Sequence, residues 1–454
     1  MKKIYTIVGM KKADFDNHVT DKEILLRPAR LIPTTKPGDE MTLTSIFLSS
    51  LKLIKEFKML LLKPLSINRS GRIFVYTEID FKQVSNGERL DGLLIIVRGG
   101  TIKEAVLFEM KNKNDVLNKD QLSNYMNLAK LVGINNFVTI SNQFVVTPTQ
   151  YPIQIKRPKG INLYHFSWSY ILTIAHVLLF DNNLNIEDVD QVEIMKEIVA
   201  YYENKVSGIY GFAQMKSGWK EIVENIISGK QLKLNDPNIN EAVESWLQEE
   251  KDMALILSRN LGLFVKSGDT KFKNNFQARI DHDKKMLIKK KSFTSKLIIA
   301  DAVSNLNVTA YLDKRSIEMS VNLHAPESKQ NRGKIGWLRK QLEYSRKRNE
   351  EDYNKLKDNI HIAILIKYSN NPIKIKIAEL EDIGDDLKGK EIKDFVICYN
   401  IDIGKKFSSR RKFVEIIEQM LIDYYKGLVQ NLKKWNKPAP KITEQKLVGS
   451  NSNI

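Results

Sequence analysis

The sequence predicts an α/β protein: an α-β-β-β-α-β core, then a helical segment, then a basic α+β C-terminal region. Three observations carry this. Apolar residues recur at helical spacing on either side of three strand-like runs, an Asn-Gly and a Gly-Gly step punctuate those runs, and charge is distributed unevenly along the 454 residues. The boundaries that follow are an N-terminal extension over 1–41, a core domain over 42–160, an acidic helical segment over 161–264, a basic α+β domain over 265–436 and a tail over 437–454.

Residues 1–41 are mixed, with Pro28, Pro33 and Pro37 marking an irregular start. From Thr42 the pattern turns helical, with Ile46, Leu53, Phe57, Leu60 and Leu61 on one side, and Pro64 ends the helix. Strand-like runs follow at Arg72–Phe81, Arg89–Val97 and Glu104–Lys111, separated by Asn86-Gly87 and Gly99-Gly100, which are hairpin-turn signals. A second helical run, Lys119–Val132, precedes a β-rich run at Asn136–Val146. Next, His165–Phe180 reads as a strand turning into a buried helix, with further helices over Ile186–Lys205, Trp219–Ile227 and Ile239–Leu261. His165 and His176 sit among apolar neighbours, as structural histidines do. Residues 265–330 read as strand-rich and basic. A charged helix over Gly333–Lys357, strands at His361–Tyr368 and Phe395–Asn400, and an amphipathic run at Arg410–Trp435 complete the chain.

The net charge is +18, which favours a polyanionic partner. Residues 1–150 contribute 22 bases and 15 acids (+7), 151–250 contribute 9 and 14 (−5), and 251–454 contribute 41 and 25 (+16). The single cysteine, Cys398, argues against a disulfide framework and a Cys-based zinc site, and no H-E-x-x-H pair occurs. The start of the chain lacks a small-residue cleavage site, and no apolar run approaches the ~20 residues that span a bilayer. A cytoplasmic location is the expectation. No nucleotide-binding G-x-x-x-x-G-K-[S/T] loop and no base-reading motif is present.

The residues that point to chemistry lie in 78–125. Side chains alternate along a strand, so Glu109 and Lys111 share one face while Phe108 and Met110 share the other. A hairpin through Gly99-Gly100 brings Asp91 towards Glu109. Two carboxylates and a lysine then converge, a set suited to holding Mg²⁺ and orienting water for phosphodiester hydrolysis. Gln121 and Tyr125, four residues apart, share a face of the following helix.

Together these residues resemble the PD-(D/E)xK nuclease superfamily, and within it the branch with a Q-x-x-x-Y helix. The resemblance covers about residues 42–146 and implies a restriction-endonuclease-like core. It implies that Asp91 and Glu109 bind Mg²⁺, with Mn²⁺ as a substitute, and that Lys111 acts on the attacking water. Gln121 and Tyr125 would brace the site or contact the phosphate. A further acid comes from the first helix in many members, for which Glu56 is the candidate, with Glu78 on the first strand as a second. Leu90 stands where the family's proline would be. The implied activity is metal-dependent DNA hydrolysis in restriction, anti-phage defence or repair, by a homodimer if both strands are cut; RNA is a second substrate class. The alternatives are a non-catalytic nucleic-acid-binding protein on an inactivated nuclease fold and a stress-related interaction factor. Phosphate-contact candidates are Lys113 and Lys119 near the site, then Lys290, Lys291, Arg332, Lys334, Arg339 and Lys340.

Overall fold

A computed structural model describes residues 6–32, 36, 38–84, 87–113, 115–145, 148–149, 151–153, 155–179, 186–268, 272, 276–327, 329–380 and 387–436. Asn86 of the first predicted turn, and the tail over 437–454, lie outside the described residues. The protein is mixed α/β, with two sheets among the described residues. It divides into two compact units: Met1–Ala300 with Val308–Ile317 and Asp402–Ile422, and Asp301–Asn307 with Glu318–Ile401 and Asp423–Ile454. Among the described residues no helix is long and apolar enough to cross a membrane.

The first unit opens with α1 (Lys12–Thr20), β1 (Ile24–Pro28), α2 (Glu40–Leu53) and α3 (Lys55–Leu61). The helical run that the sequence reads as one piece is therefore two. Ile54 is extended (φ −114°, ψ 107°) and fully buried, and its side chain anchors the break in the core. Pro64 falls in a short 3₁₀ turn after α3, where its missing N–H costs nothing. The strands β2 (Arg72–Phe81), β3 (Leu90–Arg98) and β4 (Thr101–Met110) follow. Gly99 and Gly100 both have positive φ (59° and 72°), the backbone that a two-residue hairpin turn requires. Helix α4 (Lys119–Leu131) then crosses to β5 (Asn136–Ser141), and β6 (Asn162–Ser167) leads into α5 (Trp168–Leu179).

These six strands form one sheet in sequential order, antiparallel from β1 to β4 and parallel from β4 to β6. The parallel step from β4 to β5 needs a crossover, which α4 supplies. The sheet thus extends past the predicted core at both ends, since β1 and β6 belong to it. Alternation along each strand sends side chains to two separate cores. Leu94, Ile96, Val106, Phe108 and Met110 pack with α2, α3, α5 and α6 (Val189–Glu203). Leu93, Ile95, Ala105 and Leu107 pack with Phe15 of α1 and with Leu122, Tyr125 and Met126 of α4.

The rest of this unit includes α7 (Ser217–Ile227), α8 (Pro237–Leu261), β7 (Lys266–Ser267), α9 (Phe276–Lys290) and β8 (Ser292–Ile298). Trp219 and Trp246 lie parallel, 6.5 Å apart, with Phe293, Phe407 and Phe413 around them. Helix α9 corrects the strand-rich reading of 265–330. Its lysines flank a helical stripe of Ile280, Asp283 and Leu287, and Arg279 pairs with Asp283 one turn on at 2.6 Å.

The second sheet has the strand order β12-β11-β13-β10-β9-β8-β7, with β9 (Leu306–Tyr311), β10 (Ser316–His324), β11 (Ile360–Ile366), β12 (Ile373–Lys376) and β13 (Ile392–Asp402). The sequence reading overlooks β12, whose four residues are too short to establish a period. In the second unit the predicted helix over Gly333–Lys357 is again two, α10 (Asn331–Arg348) and α11 (Glu350–Leu356), divided at Asn349. The Asn349 side chain accepts from the Asp352 N–H and so caps α11. The amphipathic run at 410–435 forms α12 (Arg410–Gly427) and a 3₁₀ turn.

Gly92 of β3 sets how closely α2 approaches the sheet. A Cβ there would lie 2.9 Å from Leu48 Cδ1 and 3.1 Å from Phe108 Cβ. Gly92→Ala is therefore expected to destabilise the first unit by about 1–3 kcal/mol, as overpacking a core does. Urea denaturation measures this, and a change below about 0.5 kcal/mol would contradict the packing described.

Candidate active site

Register brings the predicted residues together. Gly92 pairs with Phe108 across the antiparallel β3–β4 ladder, and continuing by one residue sets Asp91 opposite Glu109. Both side chains point to the α4 face, since Leu93 and Leu107, two residues away on each strand, lie in that core. Asp91-Gly92 is thus part of a strand and not a turn. The acid faces α4, and the glycine admits α2 on the other side.

Glu109 is 2% exposed, and its Oε1 lies 2.9 Å from Lys111 Nζ. Among the described residues no hydrogen-bond donor reaches its Oε2. Burial, then the neighbouring Asp91 carboxyl, push the Glu109 pKa up to about 9. Asp91 is half-buried and accepts from the Met110 N–H at 2.7 Å; burial raises its pKa too, against the pull of that N–H and of Lys111. Two carboxyls in one poorly solvated place cannot both ionise unless a cation joins them.

Lys111 is that cation in part. Besides Glu109, its Nζ reaches Glu40 Oε2 at 3.3 Å. Burial works to lower the ammonium's pKa, but Glu109, Asp91 and Glu40 outweigh it and raise it. Lys111 therefore stays protonated at neutral pH, which suits it to orient and stabilise negative charge and not to abstract protons. The strand end is fixed from below as well: Lys111 N–H donates to Ile140 O, and Trp168 Nε1–H donates to Lys111 O at 2.9 Å.

Helix α4 closes the site. The Asn118 side chain caps it by accepting from the N–H groups of Asp120 and Gln121. Gln121 Nε2 donates to Tyr125 Oη at 3.0 Å, and Tyr125 Oη donates to Arg89 O at 2.8 Å. Gln121 and Tyr125 thus tie the helix to the start of β3. Burial, and then Glu109, raise the Tyr125 pKa to about 12, so its hydroxyl remains a donor beside the acids.

The two further acids fall differently. Glu56 lies on α3, beyond the 14 residues of α2 and so roughly 20 Å along from the end at which Glu40 meets Lys111; its charge acts on Lys58. Glu40, which sequence reasoning missed, is the acid that the start of α2 brings to Lys111. Its signal was its place in the first turn of a helix, where acids are favoured. Glu78 interrupts β2 in a left-handed conformation (φ 51°), at a bulge against β1. It pairs with Arg27 at 2.7 Å and Arg89 at 3.7 Å, and its charge still raises the Asp91 pKa.

Of the predicted phosphate contacts, Lys113 and Lys119 are exposed near the site, and Lys290 and Lys291 are exposed at the end of α9. In the second unit Arg332, Arg339 and Lys340 are exposed on α10. Lys334 is a correction: it is 2% exposed and donates to Ile392 O at 2.7 Å, so it serves the fold. Trp337 is half-buried, and the Tyr344 ring is faced by Arg348 and Lys433. Charges along α10 also pair with one another, as in Lys347–Glu343 at 2.7 Å. The two histidines singled out by the sequence, His165 and His176, behave as structural groups. His165 is buried between Thr139 Oγ1 and Gln143 O, with burial lowering its pKa to about 4, and His176 meets Glu203 at 2.8 Å.

Comparison with protein-family models, with curated proteins and with solved structures finds no match to this chain.

The raised Glu109 pKa fixes a pH dependence. Between the ordinary carboxylate range and about 9, the folded state holds a proton that the unfolded state has released, so stability falls as pH rises across that window. In metal-free buffer, Glu109→Gln should flatten this slope. It should also raise the melting temperature at pH 8 by roughly 1–2 °C, which corresponds to about 1 kcal/mol for a unit of this size. Thermal melts from pH 5 to 9 measure it; an unchanged slope in the variant would contradict the assignment.

Proposed function

We propose that the protein is a metal-dependent deoxyribonuclease and that Asp91, Glu109 and Lys111 are its catalytic residues. The observation that carries this reading is the convergence of two enclosed carboxyls and an ammonium at the ends of adjacent strands, with an acceptor oxygen of Glu109 left without a donor. That donor set fits a divalent cation. It is oxygen-only and acidic, which suits hard Mg²⁺ or Mn²⁺, and a bound cation relieves the repulsion between Asp91 and Glu109.

Asp91 and Glu109 would hold the ion, and Glu40 stands close enough to Lys111 to set the charge balance around it. When bound, the ion polarises the phosphate and acidifies a water. Lys111 orients that water and stabilises charge on the phosphate oxygens. Gln121 and Tyr125 hold α4 against β3, and with it the wall of the site. The order α2-β2-β3-β4-α4-β5, antiparallel through β4 and parallel into β5, supports the resemblance to the restriction-endonuclease-like core. The exposed bases Lys113, Lys119, Lys290 and Lys291 in the first unit, and Arg332, Arg339 and Lys340 in the second, are proposed phosphate contacts.

The test incubates purified protein with linear and circular DNA and with RNA, in Mg²⁺, Mn²⁺ or EDTA. Metal-dependent cleavage of DNA is expected, falling about 10²–10⁴-fold in Asp91→Ala and in Lys111→Ala, as for loss of a group acting in the transition state. Cleavage that survives both substitutions would refute the site. Salt-sensitive binding without cleavage would favour the non-catalytic nucleic-acid-binding protein, and absence of both would favour the interaction factor. Because a proton on Glu109 competes with the ion, Mn²⁺ affinity should rise with pH, by up to about tenfold per unit below 9. Calorimetry should show that rise in the wild type and its loss in Glu109→Gln.

A further inference from the structure

A second set of ligating side chains lies in the other unit. Glu318 of β10, His361 of β11 and Cys398 of β13 stand on three neighbouring strands, with β13 in the middle. His361 and Cys398 are direct cross-strand partners in the β11–β13 ladder. Their ligand atoms, one carboxylate oxygen, one imidazole nitrogen and one sulfur, all lie within 4.8 Å of one another. His361 Nε2 is 3.4 Å from Glu318 Oε2.

That separation has a chemical reading. With bonds of about 2.0–2.3 Å at tetrahedral angles, two ligands of a zinc ion stand roughly 3.3–3.7 Å apart. The nitrogen and oxygen are already at that distance, and the sulfur needs only a side-chain adjustment. Cys398 is 5% exposed, while the Glu318 and His361 side chains keep 17% and 24% of their surface. A site so placed is enclosed by the sheet on one side and reachable from the other. One thiolate, one imidazole and one carboxylate select a borderline-soft ion over Mg²⁺, which takes oxygen ligands in octahedral geometry. The neighbouring Tyr424 is not a ligand: its hydroxyl donates to Ile397 O at 2.7 Å. A single cysteine excludes sites built of several thiolates, but not a mixed set of this kind.

We propose that Glu318, His361 and Cys398 bind one Zn²⁺-class transition-metal ion. On binding, the Cys398 sulfur exchanges its proton, released to solvent, for a bond to the metal. The ion joins three strands of one sheet, a structural role separate from the proposed hydrolytic site on Asp91.

Co²⁺ is the probe, because a thiolate bound to it gives a charge-transfer band in the near ultraviolet and tetrahedral ligation gives intense visible bands. With only one cysteine in the chain, such a band has a single possible source. Titration of the metal-stripped full-length protein is expected to give the band with one equivalent of Co²⁺ and to lose it on addition of Zn²⁺. Cys398→Ser should abolish it, and His361→Gln and Glu318→Gln should weaken binding by about tenfold or more. Asp91→Ala should leave it unchanged. Circular dichroism verifies that each variant is folded, and the wild-type titration decides even if one is not. Absence of the band in the wild type overturns the proposal, as does a band that persists in Cys398→Ser.

Discussion

The constraint on which this protein's first unit turns is the placing of Asp91 and Glu109 side by side where water barely reaches. Left to themselves, two such carboxyls hold a proton between them, and burial and mutual repulsion raise the pKa of each. Lys111 offsets only part of this, because it is shared with Glu40. A site with surplus negative charge and an oxygen lacking a donor is costly for a fold to keep. That cost is the physical basis of the proposal that a bound cation completes the charge here.

The fold produces that arrangement with few parts. An antiparallel ladder closed by Gly99 and Gly100 fixes which residue of β3 faces which residue of β4, and strand alternation turns both acids to one side. Gly92 lets α2 press on the opposite side, bringing Glu40 at the helix start within reach of Lys111. The parallel crossover then returns α4 over the acids, anchored by Tyr125 to Arg89. Backbone register sets the acids side by side, side-chain contacts fix the helices around them, and together they leave the acids little freedom to separate.

Much of this was legible in the sequence because it rests on local period. The alternation of Phe108-Glu109-Met110-Lys111 assigned each side chain to its face, and the four-residue spacing of Gln121 and Tyr125 placed both over the site. What was not legible depends on long-range partners. Glu40 carries no motif, and only the packing of α2 brings it to a lysine 71 residues away. Lys334 looks like any surface base until the carbonyl of Ile392 is found above it. The breaks at Ile54 and Asn349 follow from a buried anchor and a side-chain cap, features that hydrophobic spacing does not record. Helix α9 was misread because its lysines masked the stripe of Ile280, Asp283 and Leu287. The grouping of Glu318, His361 and Cys398 needs the register of three strands, and no spacing in the sequence hints at it.

The two ligand sets also separate by chemistry. The one on β3 and β4 is all oxygen and suits a hard ion, whereas the one on β10, β11 and β13 contains sulfur and nitrogen. The central claim is that Asp91 and Glu109 jointly hold a cation beside Lys111. Anomalous diffraction from crystals soaked in Mn²⁺ tests this most directly. The account predicts a peak coordinated by both carboxylates and lost in Glu109→Gln. A well-ordered site with no peak there, or one in which the Asp91 and Glu109 carboxyls point apart, would contradict it.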